Sequence, residues 1–246
     1  MNRPMPRPPC QGQPAPGIGG RMTAFPFQIV GFDLDGTLLD TSADLAAAVN
    51  HALAQADRPP LSIDEVKPMI GGGSRLMLER GLHASGGCDP ELLGTLYPLL
   101  LDHYRDNISA GTVAFAGLAE AMDALDERGV TLAIVTNKFE SLAVKLLDEL
   151  DLARRFAAVI GGDTMGKGNS KPSAVPIHEM IARCGGGRAA FVGDSIYDVL
   201  AAKNAGIPSV AVSFGFLMQP VEELGADAVI DHFDALIPTL ERLGRP

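Results

Sequence analysis

The 246-residue chain has no tryptophan, three tyrosines and three cysteines. Cys10, Cys88 and Cys184 form no Cys-x-x-Cys and no pairing pattern. That usage excludes a disulfide framework and suits a reducing compartment, so the cytoplasm is the expected location. No run of eighteen apolar residues occurs, so no membrane partner is expected. Positive charge is also scarce: 20 Lys and Arg stand against 30 Asp and Glu, a net −10. An acidic surface repels phosphate backbones, which argues against nucleic acid as a partner. A local positive pocket can still take a small anion. What the chain does have is 46% hydrophobic and 20% charged residues, the balance of a globular protein with a substantial core. Its length fits one large domain, or one domain with an insertion.

The first twenty residues hold 6 Pro and 4 Gly and almost no large apolar side chain. Such a stretch cannot bury enough surface to offset its ordering entropy, so residues 1–21 are expected to be disordered and the fold to begin near Met22. The segment has no apolar core of the kind a secretory signal needs.

From Phe27 onward, short apolar strand signals alternate with helical ones. The strands are read at 27–32, 130–136, 156–162, 188–194, 207–213 and 226–230. Continuous apolar runs without polar alternation imply burial on both faces. Between them lie helical patterns at 118–128, 141–150, 175–184 and 197–205, the first and last closed by Gly129 and Gly206. This rhythm predicts an α/β fold with a parallel sheet and right-handed crossovers. From Asp40 to about Phe115 only helical material is read: 42–56, a capping box at Ser62-x-x-Glu65, 74–82, and a long helix from Asp89-Pro90 to about Asn107. The expected division is a core of residues 22–40 and 116–246 with an all-helical cap domain, 41–115, inserted. Its Ala/Leu stripe at 42–56 reads as cap packing. The two connections near Asp40 and Phe115 suit a hinge.

Polar residues stand at the tips of these apolar strands, the edge where parallel sheets bind ligands. They are Asp33-Leu34-Asp35-Gly36-Thr37, Thr136-Asn137-Lys138, Lys171-Pro172 before a helix, and Gly193-Asp194-Ser195 with Asp198. On a strand, Asp33 and Asp35 would point to the same side. With Asp194 beside them they would repel unless a cation lay between. Hard oxygen ligands with room for water and phosphate describe a Mg²⁺ site on Asp33, Asp35 and Asp194. Thr136 and Lys171 would supply a donor and a charge to phosphoryl oxygens. Gly36 would let the backbone approach so that its N–H serves the same group. Taken singly, each element has an ordinary structural reading, as a turn, a cap or a solvated helix start. D-x-D-G-T alone arises by chance in on the order of one chain per several hundred of this size, and three further matches follow in order.

With FDLDGTLLD, IVTNK, Lys171-Pro172 and GDSIYDV in place, the chain resembles the haloacid-dehalogenase-like phosphohydrolases. The resemblance spans Phe32 to Val199 and implies a Rossmann-like core with a helical cap after the first motif. It implies Asp33 as the nucleophile that forms an aspartyl-phosphate, and Asp35 as general acid and then base. Thr136 and Lys171 would hold the phosphate, with Asn137 and Gly36 beside it. Mg²⁺ would sit on Asp33, the Asp35 carbonyl and Asp194, oriented by Asp198. Asp35, in place of an apolar residue, favours a phosphatase over a dehalogenase. Within the family, IVTNK, the Gly161–Thr164 GGDT and the Gly71–Gly73 loop with Leu76 are similar to the phosphoglycolate phosphatase group. The implied reaction is therefore 2-phosphoglycolate to glycolate and phosphate, by a monomer or homodimer acting on a small phosphorylated metabolite.

The chain departs from the family where KPSAVP puts Ala174 in the place of a common proline, and MGKGNS lengthens the approach to Lys171. Lys167 is therefore a second candidate, although Pro172 and the following helix favour Lys171. Arg75 could pair with a substrate carboxylate, or be a solvated helix-start arginine. The five histidines fit no ligand spacing. A sugar phosphatase or phosphomutase of the same fold, and a phospho-aspartate signalling receiver, remain as alternatives.

Overall fold

The protein is described by a computed structural model covering residues 25–245. The expected disorder of residues 1–21 and the start at Met22 lie outside the described residues. Six strands form one parallel sheet: β1 (Ile29–Phe32), β4 (Thr131–Val135), β5 (Ala158–Ile160), β6 (Ala189–Gly193), β7 (Ser209–Val212) and β8 (Ala228–Ile230). Their spatial order is β5-β4-β1-β6-β7-β8. The chain builds outward from β1 on one side, then returns to build on the other, so β1 is the switch point where a crevice opens.

The four inner strands β4, β1, β6 and β7 are buried on both faces, which is why their sequences show no polar alternation, while the edge strand β8 leaves Val229 exposed. Val30, Phe32, Leu132, Ile134, Ala190 and Val192 face one apolar cluster. Their neighbours Ile29, Ala133, Val135, Ala189 and Phe191 face another. Helices α5 (Leu118–Asp126), α6 (Glu140–Glu149) and α9 (Leu236–Leu243) bury Leu125, Leu146 and Leu240 in the first. Helices α7 (Val175–Arg183) and α8 (Ile196–Ala205) bury Ile177, Met180, Ala201 and Ala202 in the second. Every strand is shorter than its apolar run, because the end residues leave the ladder.

The insertion consists of α1 (Ser42–Ala54), α2 (Ile63–Val66), α3 (Ser74–Ala84) and α4 (Pro90–Asp106). The Ser62–Glu65 capping box is present at α2, and the Asp89 carboxylate caps α4 by accepting from Glu91 and Leu92 N–H. The Ala/Leu stripe of α1 is buried at Leu45, Ala46, Ala48, Val49, Ala52 and Leu53 and packs on α4. Each large side chain in it contributes about 2 kcal/mol of transfer energy. The same apolar cluster runs on into the sheet's first face.

One expectation is corrected here. The stretch between Asp40 and Phe115 is not helix alone: β2 (Leu39–Asp40) and β3 (Val113–Ala114) pair antiparallel, Leu39 with Ala114 and Asp40 with Val113. Two-residue strands carry no periodicity to read. They form because the outgoing and returning connections lie side by side. Thr41 stands at the start of α1, but its side chain does not cap the helix.

The return connection is tied to α1 by the buried Asp44, which accepts from Gly111 N–H at 2.8 Å and Thr112 Oγ1 at 2.7 Å. Removing that carboxylate leaves two donors without a partner. Asp44→Ala is expected to lower the unfolding free energy by about 2–3 kcal/mol, measured by urea denaturation, with Asp44→Asn losing less.

Candidate active site

Strand register assembles the site. Phe32 lies opposite Ile134 on one side and Val192 on the other. One residue further along, Asp33 continues the ladder by donating its N–H to Val192 O at 2.9 Å. Thr136 and Asp194 each follow the last residue of their strand directly. Three polar side chains thus emerge within one step of the same edge.

The chain then turns sharply at Gly36, with φ +81°, and a Cβ there would lie 2.2 Å from Asp194 Oδ2. The turn commits the Gly36 N–H to Leu39 O at 2.9 Å. The expectation that this N–H serves a phosphate is therefore corrected: Gly36 permits close packing on Asp194, and its donor is used within the turn. The strand argument for Asp33 and Asp35 also needs revision, since β1 ends at Phe32 and Asp35 makes only an isolated bridge to Leu39. Both aspartates nevertheless line one cavity.

Two buried lysines divide the acidic groups between them. Lys171 Nζ lies 2.9 Å from Asp33 Oδ1 and 2.6 Å from Asp198 Oδ1. Lys138 Nζ binds both oxygens of Asp35, at 2.6 and 2.7 Å, and Thr41 Oγ1 donates to Asp35 Oδ1 at 2.8 Å. Asp198 Oδ2 accepts from Ser195 N–H at 2.9 Å and Ser195 Oγ at 2.5 Å, which caps α8. Asp194 Oδ2 accepts from Phe216 N–H at 2.6 Å. Lys167 is exposed, so Lys171 is the lysine that reaches the carboxylates despite the KPSAVP departure. Asn137 Nδ2 donates to Gly71 O and Lys171 O, tying the insertion and the lysine's loop together.

The Asn137–Lys138 turn is held from below by the GGDT loop. Gly162 N–H donates to Lys138 O at 2.8 Å, and Asp163 Oδ1 accepts from Glu140 N–H at 2.8 Å. A Cβ on Gly161 would lie 2.2 Å from Glu140 N, and one on Gly162 2.6 Å from Asn137 O. The two glycines are there because backbone meets backbone.

Four buried carboxylates against two buried lysines leave an excess of negative charge. Burial pushes Asp33 up to about 6 against the pull of Lys171, with Asp198 and Asp35 adding to the rise. Burial, then Asp198 and Asp33, holds Asp194 well above the usual carboxylate range. Lys171 is driven the other way by its surroundings: burial opposes its charge, but Asp198 and Asp33 outweigh it and raise its pKa. Asp33, Asp194 and Asp198 each bring a carboxylate oxygen within 4.8 Å of the others. Asp33 Oδ1 meets the Lys171 ammonium at 2.9 Å and has no other partner. An all-oxygen cluster with more buried negative charge than its lysine offsets fits a hard divalent cation. Asp35's carboxylate stands outside this cluster.

The cavity of about 40 Å³ over Asp33 and Asp35 is roofed by the insertion through Leu45, Ile70, Met77, Leu100 and Tyr104. Lining residues without an assigned role in the sequence include Lys138, readable only as part of a motif, and Tyr104, which nothing in the pattern of α4 singles out from its apolar neighbours. Arg75 is exposed and lies over the Tyr97 ring, 5.4 Å from its centroid, and it does not line the cavity. The histidines stand apart from the site, His51 and His103 stacking 4.4 Å apart between α1 and α4.

Comparisons with known proteins agree with this geometry. Residues 30–212 match the family model described as haloacid dehalogenase-like hydrolase. A phosphoglycolate phosphatase of Agrobacterium fabrum is 44% identical over 212 residues, covering 85% of this chain and 90% of the relative. One of Caulobacter vibrioides is 43% identical over 207 residues, 83% and 86% of the two chains. A crystal structure described as a predicted phosphoglycolate phosphatase from Haemophilus somnus superposes with a TM-score of 0.81 at 26% identity, covering 89% of this chain and 99% of that one. The chain belongs to the haloacid dehalogenase-like hydrolase family, with the motif-bearing edge of its sheet inside the matched region.

Proposed function

We propose that this phosphoric monoester hydrolase cleaves 2-phosphoglycolate to glycolate and phosphate, through an aspartyl-phosphate on Asp33. The observation that carries the reading is the pairing of Asp33 and Asp35 in one small cavity, each held by its own buried lysine. Relatives bearing the phosphoglycolate phosphatase name over most of the chain support the substrate. A signalling receiver is set aside by membership of a hydrolase family.

In the proposed sequence, an Asp33 carboxylate oxygen attacks phosphorus as the ester P–O bond breaks. The departing alkoxide takes a proton from Asp35, giving the free alcohol and an acyl phosphate on Asp33. Asp35 then takes a proton from water, whose oxygen attacks the same phosphorus and frees inorganic phosphate and the Asp33 carboxylate. Lys171 holds the Asp33 carboxylate in place and faces the charge that gathers on the phosphoryl oxygens. Thr136, 3% exposed and lining the cavity, offers its hydroxyl to them. Asp33, Asp194 and the Asp35 carbonyl would hold Mg²⁺, with Asp198 orienting the group through Lys171 and Ser195. The ion, when bound, neutralises carboxylate and phosphate together, so that one anion can approach another.

A panel of 2-phosphoglycolate, glycerol phosphates, hexose phosphates and p-nitrophenyl phosphate, assayed with Mg²⁺, tests the substrate. Phosphoglycolate is expected to give the highest kcat/KM, with stoichiometric inorganic phosphate. Higher turnover of a hexose phosphate, or isomerisation without net phosphate release, would replace the reading by the sugar phosphatase or the mutase. Asp33→Asn and Asp35→Asn are each expected to reduce kcat by at least about 10³-fold. Mass spectrometry of a quenched reaction should find the phosphoryl group on Asp33, and finding it on serine or histidine overturns the mechanism.

The raised pKa of Asp33 gives a second prediction. A carboxyl that titrates near 3.8 unfolded and about 6 in the fold favours the fold while protonated. That contribution is full below about pH 4 and is lost as pH rises through 6, at about 3 kcal/mol for the group alone. A divalent cation binds the ionised form and offsets the loss. The rise in Tm produced by Mg²⁺ should therefore be small at pH 5 and grow by pH 7.5, read by differential scanning calorimetry. A rise independent of pH would show that the ion binds elsewhere.

A further inference from the structure

A carboxylate entering the cavity meets Asp33 and Asp35 at its floor and apolar side chains on its walls, so it needs a cation of its own. Arg75 lies outside, over Tyr97, and Lys171 is held between Asp33 and Asp198. Among the described residues, the one lysine or arginine lining the cavity is Lys138. Its ammonium has three donors. It contacts Asp35 at 2.6 and 2.7 Å and stands 4.7 Å from the centroid of the Tyr104 ring. Tyr104 reaches the same place from the last turn of α4. It is 3% exposed and lines the cavity; its hydroxyl oxygen lies beside the Lys138 ammonium, which can only donate, so the O–H itself has no acceptor among the described residues. An unpaired buried donor is satisfied by a ligand oxygen. The unpaired Oδ1 of Asn137 is an acceptor and cannot serve a carboxylate.

We propose that Lys138 and Tyr104 together receive the substrate's carboxylate, one as charge and the other as hydroxyl donor, and so select small phosphorylated acids over phosphate esters of uncharged alcohols. The proposal rests on the phosphoglycolate reading and assigns the group that recognises its acid end. The arrangement also divides the recognition between core and insertion, since Lys138 follows β4 and Tyr104 belongs to α4.

The test compares kcat/KM for 2-phosphoglycolate with that for ethyl phosphate, the phosphate ester of an uncharged alcohol that lacks only the carboxylate oxygens, in the parent and three variants. Lys138 also holds Asp35, but any loss through Asp35 falls on both esters and cancels in the ratio. Lys138→Met should lower the ratio about 100-fold and Tyr104→Phe about tenfold, mostly through KM for phosphoglycolate. Arg75→Ala should leave the ratio within about twofold, because Arg75 lies outside the cavity. Tyr104→Phe removes a single oxygen and serves alone if Lys138→Met fails to fold. A parent enzyme with no preference for phosphoglycolate refutes the substrate reading, and this inference with it. A clear preference that survives both substitutions, or that disappears in Arg75→Ala, refutes the inference alone.

Discussion

Everything at the carboxyl edge of the sheet answers to one electrostatic problem, four aspartates buried beside two lysines. Water would screen such a cluster, but here the groups are almost wholly removed from it. Desolvation therefore disfavours every uncompensated charge. The fold resolves part of the excess by assigning partners: Lys171 to Asp33 and Asp198, Lys138 to Asp35. Asp194 is left with backbone and hydroxyl donors, from Phe216 and Thr37. The remainder appears as raised pKa values at Asp33 and Asp194, which is the condition a divalent cation relieves.

The partition also gives the two halves of the site different electrostatic surroundings. The Asp33 side carries the acidic cluster and its lysine. The Asp35 side carries a second lysine, a threonine and a tyrosine, beneath the apolar roof. Two neighbouring aspartates that differ only by one intervening leucine thus meet different surroundings. The divergence follows from the turn at Gly36, which swings the chain out of the ladder directly after the first aspartate.

Much of this was legible in the residues. Apolar runs without alternation gave the buried parallel strands, and polar residues at their tips gave the site, because the register of a parallel sheet brings successive strand ends to one edge. Helix starts in the insertion could be read from Ser62 and Asp89, whose caps depend on local sequence alone. What could not be read depended on distant contacts. The β2–β3 pairing joins residues more than seventy positions apart through strands too short to show a period. The use of the Gly36 N–H is decided by where Leu39 turns, and the side chain of Thr41 goes to Asp35 instead of its own helix. Arg75 illustrates the same limit: its charge was visible, but not the Tyr97 ring that it covers.

The insertion is more than a lid laid over a finished site. Its apolar stripe belongs to the same buried cluster as the sheet's first face, so its position is fixed by packing and by the Asp44 tie to the return connection. It also contributes polar contacts, through Gly71 O to Asn137 and through Tyr104 beside Lys138. The Asp33 end of the cavity is built mainly from strand tips, at Asp33 and Thr136, and is set by sheet register, which cannot drift without disturbing the core. The far end is built from one helix and one loop, where a single side chain can change without moving a strand. The two ends of the cavity therefore sit on parts of the fold with different mechanical freedom, one fixed by sheet register and the other shared between a loop of the core and a helix of the insertion.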